Sequence, residues 1–123
     1  MTYFDHEKLD VYVAAIDFAV ISDGIVERLP RGRKYLGDQL QRAATSIALN
    51  VAEGAGEFSD GEKARFYRMS RRSATECAAI LQLCEKLQLA EVGAIAQGRE
   101  LLLRVVAMLT KMCRTLERND VRT

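Results

Sequence analysis

The stretch Leu40–Gly54, LQRAATSIALNVAEG, decides the fold class. It holds no proline, its single glycine is its last residue, and Leu40, Ala43, Ile47 and Val51 recur at the three- and four-residue spacing of one helix face. Leu36 extends that face backwards. At 100° per residue, Gln39, Arg42, Ser46, Asn50 and Glu53 fall in an arc of roughly 80° directly beside it. They form a polar ladder along the border of the core rather than on the far side of the helix. Two readings compete for this ladder. It is either a network that fixes helix register or joins subunits, or a site for a ligand or partner.

Working outward, the same helical period fills the rest of the chain, and strong punctuation occurs in only three places: RLPRGRKYLG, GAGEFSDG and the weaker KLQLAEVG. Three breaks predict four helices. The first spans about Leu9–Arg28, with Asp10 favouring its positive end and Pro30 and Gly32 preventing continuation. The second spans Tyr35–Glu53 and ends where Gly54 and Gly56 can take left-handed backbone angles. The third opens on Ser59 and Glu62, an S-x-x-E capping box, and runs to about Gln88. The fourth covers about Glu91–Glu117 and starts without a good cap, since Ala90 cannot supply one. Short connections make neighbours antiparallel, so residues 1–123 read as one all-α domain, an up-down-up-down four-helix bundle.

Bulk properties agree with a folded, water-soluble chain: 123 residues, 49% hydrophobic, 28% charged, one proline, no tryptophan. Net charge is +1 but uneven, because residues 1–27 carry six acids against Lys8 alone, leaving +6 for the rest. Cys77, Cys84 and Cys113 sit in apolar helical pattern with only His6 as a nitrogen partner, so they read as reduced core thiols of a cytoplasmic protein rather than metal ligands. The polar start MTYFDHEKLD is no signal peptide, and no apolar run approaches membrane-spanning length.

Helix 1 carries two apolar stripes, Leu9, Val13, Ile16 and Val20 on one side and Val11, Phe18, Ile25 and Leu29 nearly opposite. Helix 4 likewise has Ile95, Leu102, Val106, Leu109, Cys113 and Leu116, flanked by Leu101, Val105, Met108 and Met112. One face suffices for a bundle core. The surplus rows, Val11, Phe18 and Ile25 with Leu101, Val105, Met108 and Met112, are therefore expected at a homo-oligomer interface. Splayed helices with broad buried faces are the plainer alternative.

An antiparallel helix 3 would bring Glu76 near Arg42, and Arg65 near Asn50 and Glu53, which predicts the pairs Arg42–Glu76 and Glu53–Arg65. Basic residues form three groups: Arg28, Arg31, Arg33 and Lys34; Arg65, Arg68 and Arg72; and Arg104, Lys111, Arg114 and Arg118. Each can follow a phosphate backbone or be a solvated face with local acid partners. No glycine-rich phosphate loop, HExxH or CxxC spacing is present, and neither His6 nor an apolar-face cysteine makes a base or nucleophile. An all-α enzyme of the chorismate mutase type is the remote alternative. We expect no cofactor, metal or small-molecule substrate and no membrane association.

The residues Arg42, Ala43, Ala44, Ser46, Ile47, Asn50, Val51, Ala52, Glu53 and Gly54 resemble the hallmark R-A-A-x-S-I-x-x-N-[IV]-A-E-G of the four-helix bundle family called 23S rRNA intervening-sequence proteins. FDHEKLDVY and EKARFYRMSRRSATE are similar to the family's opening and helix 3 patterns, with Ser70 standing where Ala is common and Arg72 where Gly is common. The resemblance implies a left-handed antiparallel bundle assembling as a ring-like homopentamer. It also implies a partner class, RNA or an RNA-handling nucleoprotein, since the name refers to reading frames inside intervening sequences of 23S rRNA genes. An interaction scaffold without nucleic-acid affinity is the alternative.

Overall fold

The computed structural model describes residues 2–122, with side chains for residues 2–119. A 3₁₀ turn, Asp5–Lys8, leads into four α-helices: α1 Asp10–Glu27, α2 Lys34–Ala55, α3 Asp60–Lys86 and α4 Val92–Arg122. No strand occurs among the described residues. Each helix packs closely on two others: α1 on α2 and α4, and α3 on α2 and α4, while the backbones of the diagonal pairs stay further apart. One apolar core runs between all four.

Local chemistry explains where the helices stop. After α1, Pro30 cannot extend the ladder and Gly32 turns the chain at φ +94°. Ser59 Oγ accepts the Glu62 amide at 3.1 Å and opens α3. Only half of the expected capping box forms, because the Glu62 carboxylate turns away to Arg65. The end of α3 is a Schellman motif that the sequence did not announce. Leu89 N–H donates to Cys84 O at 2.8 Å and Gln88 N–H to Glu85 O at 3.0 Å, with Gln88 at φ +57° where glycine is usual.

The two glycines closing α2 behave differently from expectation. Gly54 lies inside the helix and Gly56 sits at φ −85°, so neither takes a left-handed angle. Gly54 is required by space: a Cβ there would stand 2.6 Å from Tyr67 Cε1 and 3.1 Å from Phe66 Cβ. The close approach of α2 to α3 at this level depends on that missing methyl. Lys63 Nζ donates to the Gly54 and Ala55 carbonyls at 3.4 and 3.0 Å, placing a cation on the negative end of α2.

The apolar arc of α2 is buried as expected, with Leu36, Leu40, Ala43, Ile47 and Val51 all in the core. On α1 the expectation is reversed. Val11, Phe18 and Ile25, read as interface residues, lie in the chain's own core with Ala14, Ala15 and Ser22 beside them. Ser22 satisfies its hydroxyl on Ala19 O at 2.9 Å. The row left in solvent is Val13, Ile16 and Val20, at 52%, 39% and 69% exposure. On α4, Val105 is also fully buried, and Leu101, Met108 and Met112 are half-buried against the core. The broad-faced helix describes α4 well, because α4 touches both α1 and α3.

Candidate nucleic-acid interface

The polar ladder divides once the helices are packed. Asn50 is 9% exposed and Ser46 half-buried, whereas Gln39, Arg42 and Glu53 are in solvent. Asn50 Nδ2 donates to Ser46 O and Ser46 Oγ, both at 2.9 Å, and Ser73 Oγ reaches across from α3 to Ser46 Oγ at 2.9 Å. One turn away Ser70, fully buried, donates to Ile47 O at 2.8 Å. These short side chains hold α2 and α3 close. Arg42 and Glu76 both lie in solvent, and no ion pair joins them among the described residues. Glu53 does not meet Arg65 either. Arg42, Ser46, Asn50 and Glu53 line a shallow groove with Gln41, Thr45 and Leu49, and Gln39 does not. Gln41 and Thr45 also border the adjoining α1–α2 groove that contains Ile16 and Val20.

The arginines of α3 are brought together. Arg65, Arg68 and Arg72 recur every three or four residues and so share a side of the helix. Arg71, one position from Arg72, leans from the same helix toward α4. All four line one groove of about 390 Å3 between α3 and α4, with Met69, Thr75 and Val106 as its apolar and neutral parts. Their partners differ. Arg65 Nε meets Glu62 Oε2 at 3.2 Å and its guanidinium lies 4.6 Å from the Phe66 ring centroid. Arg68 Nη1 meets Glu117 Oε1 on α4 at 3.2 Å. Arg71 Nη1 donates to Thr110 Oγ1 at 3.3 Å, a neutral partner. Arg72 has no ion pair or side-chain hydrogen bond among the described residues. Two of four guanidinium groups thus face the groove without a counter-charge.

The other basic groups do not line this groove. Arg33 bonds the Tyr35 hydroxyl and Lys34 pairs with Asp38, both beside the α1–α2 connection. Arg28 edges a separate hollow with Ile21, Ile25 and residues 88–91, and Arg31 is exposed in the loop. Arg104 lies in the α1–α4 groove with Asp17 and Glu100. Lys111, Arg114 and Arg118 are exposed on α4.

No group of three or more metal-capable side chains occurs among the described residues. The three thiols are buried and unpaired with one another. Burial, with a smaller contribution from Glu76, pushes the Cys77 thiol up to about 12. Burial also raises Cys84 and Cys113, the latter despite the opposing pull of Arg71 and Arg68.

The family model described as 23S rRNA-intervening sequence protein matches residues 7–111. The chain belongs to that family. Comparison with curated proteins gives no match. The matched span of this 23S rRNA-intervening sequence protein includes the ladder and all four groove arginines, while Glu117, the partner of Arg68, lies beyond it. Its two departures from the pattern it resembles have separate fates: Ser70 ties α3 to α2, and Arg72 enlarges the basic groove. Arg71 was missed by sequence reasoning, because a wheel of α3 alone places it off the arginine row. The Arg71–Arg72 doublet was the only signal available.

Proposed function

We propose that this 23S rRNA-intervening sequence protein is a non-enzymatic, homo-oligomeric bundle of the cytoplasm that binds RNA, alone or within a nucleoprotein, through its α3–α4 groove. The observation that carries the reading is the convergence of Arg65, Arg68, Arg71 and Arg72 on one groove. Guanidinium forks match phosphate oxygens and hold their charge at every physiological pH. The groove offers no stacking platform and no helix shaped for a base edge, so affinity rests on the backbone and is salt-dependent.

The up-down-up-down arrangement belongs to the same reading. It is supported by the partners Ile47–Ser70 and Ser46–Ser73, and Arg68–Glu117 and Arg71–Thr110, whose numbers rise on one helix as they fall on the next. Self-association is supported by the exposed Val13, Ile16 and Val20 row, which continues through Thr45 to exposed Leu49 and is bordered by Asp23, Arg42 and Glu53. A ring, five-fold as the family resemblance implies, would repeat one groove of four arginines around an axis and multiply its potential. The high thiol pKa of Cys77 supports a reading without cysteine chemistry.

The test is a titration of the protein against single-stranded RNA at several salt concentrations. Binding whose log affinity falls linearly with log salt, by about 0.7 per phosphate neutralised, is expected. Undetectable or salt-insensitive binding would instead favour a scaffold without nucleic-acid affinity, a reading consistent with Arg65 and Arg68 already having acidic partners.

A further inference from the structure

The acids beside the groove are as informative as its arginines. Glu62 on α3 and Glu117 on α4 do not line the groove themselves, but each places a carboxylate oxygen 3.2 Å from a guanidinium that does. Both pairs are about half exposed, so neither carboxylate is locked in place by burial. Exposed pairs of this kind contribute little to stability and exchange readily with other anions. Arg71 and Arg72, by contrast, meet no acid among the described residues.

Resting on the RNA-binding reading, we propose that Glu62 and Glu117 are built-in competitors for phosphate. RNA enters the groove at Arg71 and Arg72 and then displaces the two carboxylates from Arg65 and Arg68. A carboxylate occupies the same side of a guanidinium fork that a phosphate would take, so the exchange needs only rotation of two exposed side chains. Displacing Glu117 also releases a link between α3 and α4, which makes occupancy of the groove felt at the C-terminal part of α4.

The competition has a signature in salt dependence. A phosphate meeting Arg71 or Arg72 releases its counter-ions outright. A phosphate that expels a carboxylate frees an acid that takes counter-ions back, so it contributes little to the slope. The native groove should therefore behave as roughly two phosphate contacts, a slope near −1.4. Without the acids it should approach roughly four, near −2.8.

The experiment compares the native protein with the Glu62→Gln/Glu117→Gln variant, using fluorescence anisotropy of a labelled single-stranded oligouridine across a salt series. A Glu85→Gln/Glu91→Gln variant removes the same charge from exposed positions that pair with no groove arginine. Thermal melts by circular dichroism confirm that all three fold. We expect the groove variant to bind about two- to fivefold tighter per arginine released, with a slope steeper by about 1.4 per occupied groove, and the charge-matched control to keep the native slope. Native binding with an unchanged or shallower slope in the groove variant overturns the competition while leaving RNA binding intact. Absence of binding in the native protein and both variants overturns the RNA reading itself.

Discussion

Gly54 shows how one atom sets the spacing of two helices. A Cβ at that position would meet the Tyr67 ring at 2.6 Å, and the ring is itself buried, so the neighbour cannot simply swing away. Gly54→Ala is expected to destabilise the protein by about 1–3 kcal/mol, the usual range for overpacking, even though alanine is the better helix former. A melt showing stabilisation would contradict the close approach. Ser59 is a milder case: removing its hydroxyl strands the Glu62 amide, and Ser59→Ala should cost about 1 kcal/mol in the same assay. For Arg42 and Glu76 the prediction is additivity. No ion pair joins them, so the double alanine variant should lose no more and no less than the two single variants together, within about 0.5 kcal/mol. The sequence placed both residues on facing arcs, but azimuth says nothing about reach. The link that does form between the helices here is the short Ser73–Ser46 hydrogen bond, while Arg42 and Glu76 stay in solvent.

Among the elements, the buried face of α2 was legible because its apolar arc is single, whereas the end of α2 and the partners of the ladder beside that arc were not. Helix α1 was not. Two apolar stripes lie on opposite sides of one helix, and which faces inward is settled by where α2 and α4 pack, a fact with no local signature. The buried row holds Phe18 among Ala14, Ala15 and Ser22, small residues that look neutral on a wheel but let the neighbouring helices close in. Single substitutions separate the two rows. Phe18→Ala should destabilise the protein by about 3–5 kcal/mol through the cavity it leaves. Ile16→Asp should leave secondary structure intact and shift the particle mass in light scattering toward a monomer. An unchanged mass would remove Val13, Ile16 and Val20 from the proposed interface. Arg71 was hidden for a related reason: its membership of the groove depends on Thr110 and Val106 of α4, which no property of α3 alone could reveal.

At the scale of the whole molecule, the four helices share one apolar core, while the exposed valine and isoleucine row and the arginine groove lie on different helices. The acidic first segment carries the solvent-facing valine and isoleucine row, and the basic groove lies between α3 and α4. No helix among the described residues is long and apolar enough to cross a membrane. The motif that resembles the family hallmark lies on α2 and the arginines proposed to touch RNA lie on α3, so motif and proposed binding surface are separate parts of one bundle. In the proposed reading, association with RNA through this groove depends on Arg71 and Arg72, the two groove guanidinium groups without acidic partners among the described residues. The most direct test is the salt-dependent affinity of an Arg71→Gln/Arg72→Gln variant for single-stranded RNA, measured beside the native protein and an Arg28→Gln/Arg31→Gln variant of the first loop. The account predicts that the α3 variant binds more weakly at low salt with a slope shallower by about 1.4 per occupied groove, and that the loop variant keeps the native slope. Equal affinity and slope in the α3 variant and the native protein would contradict it.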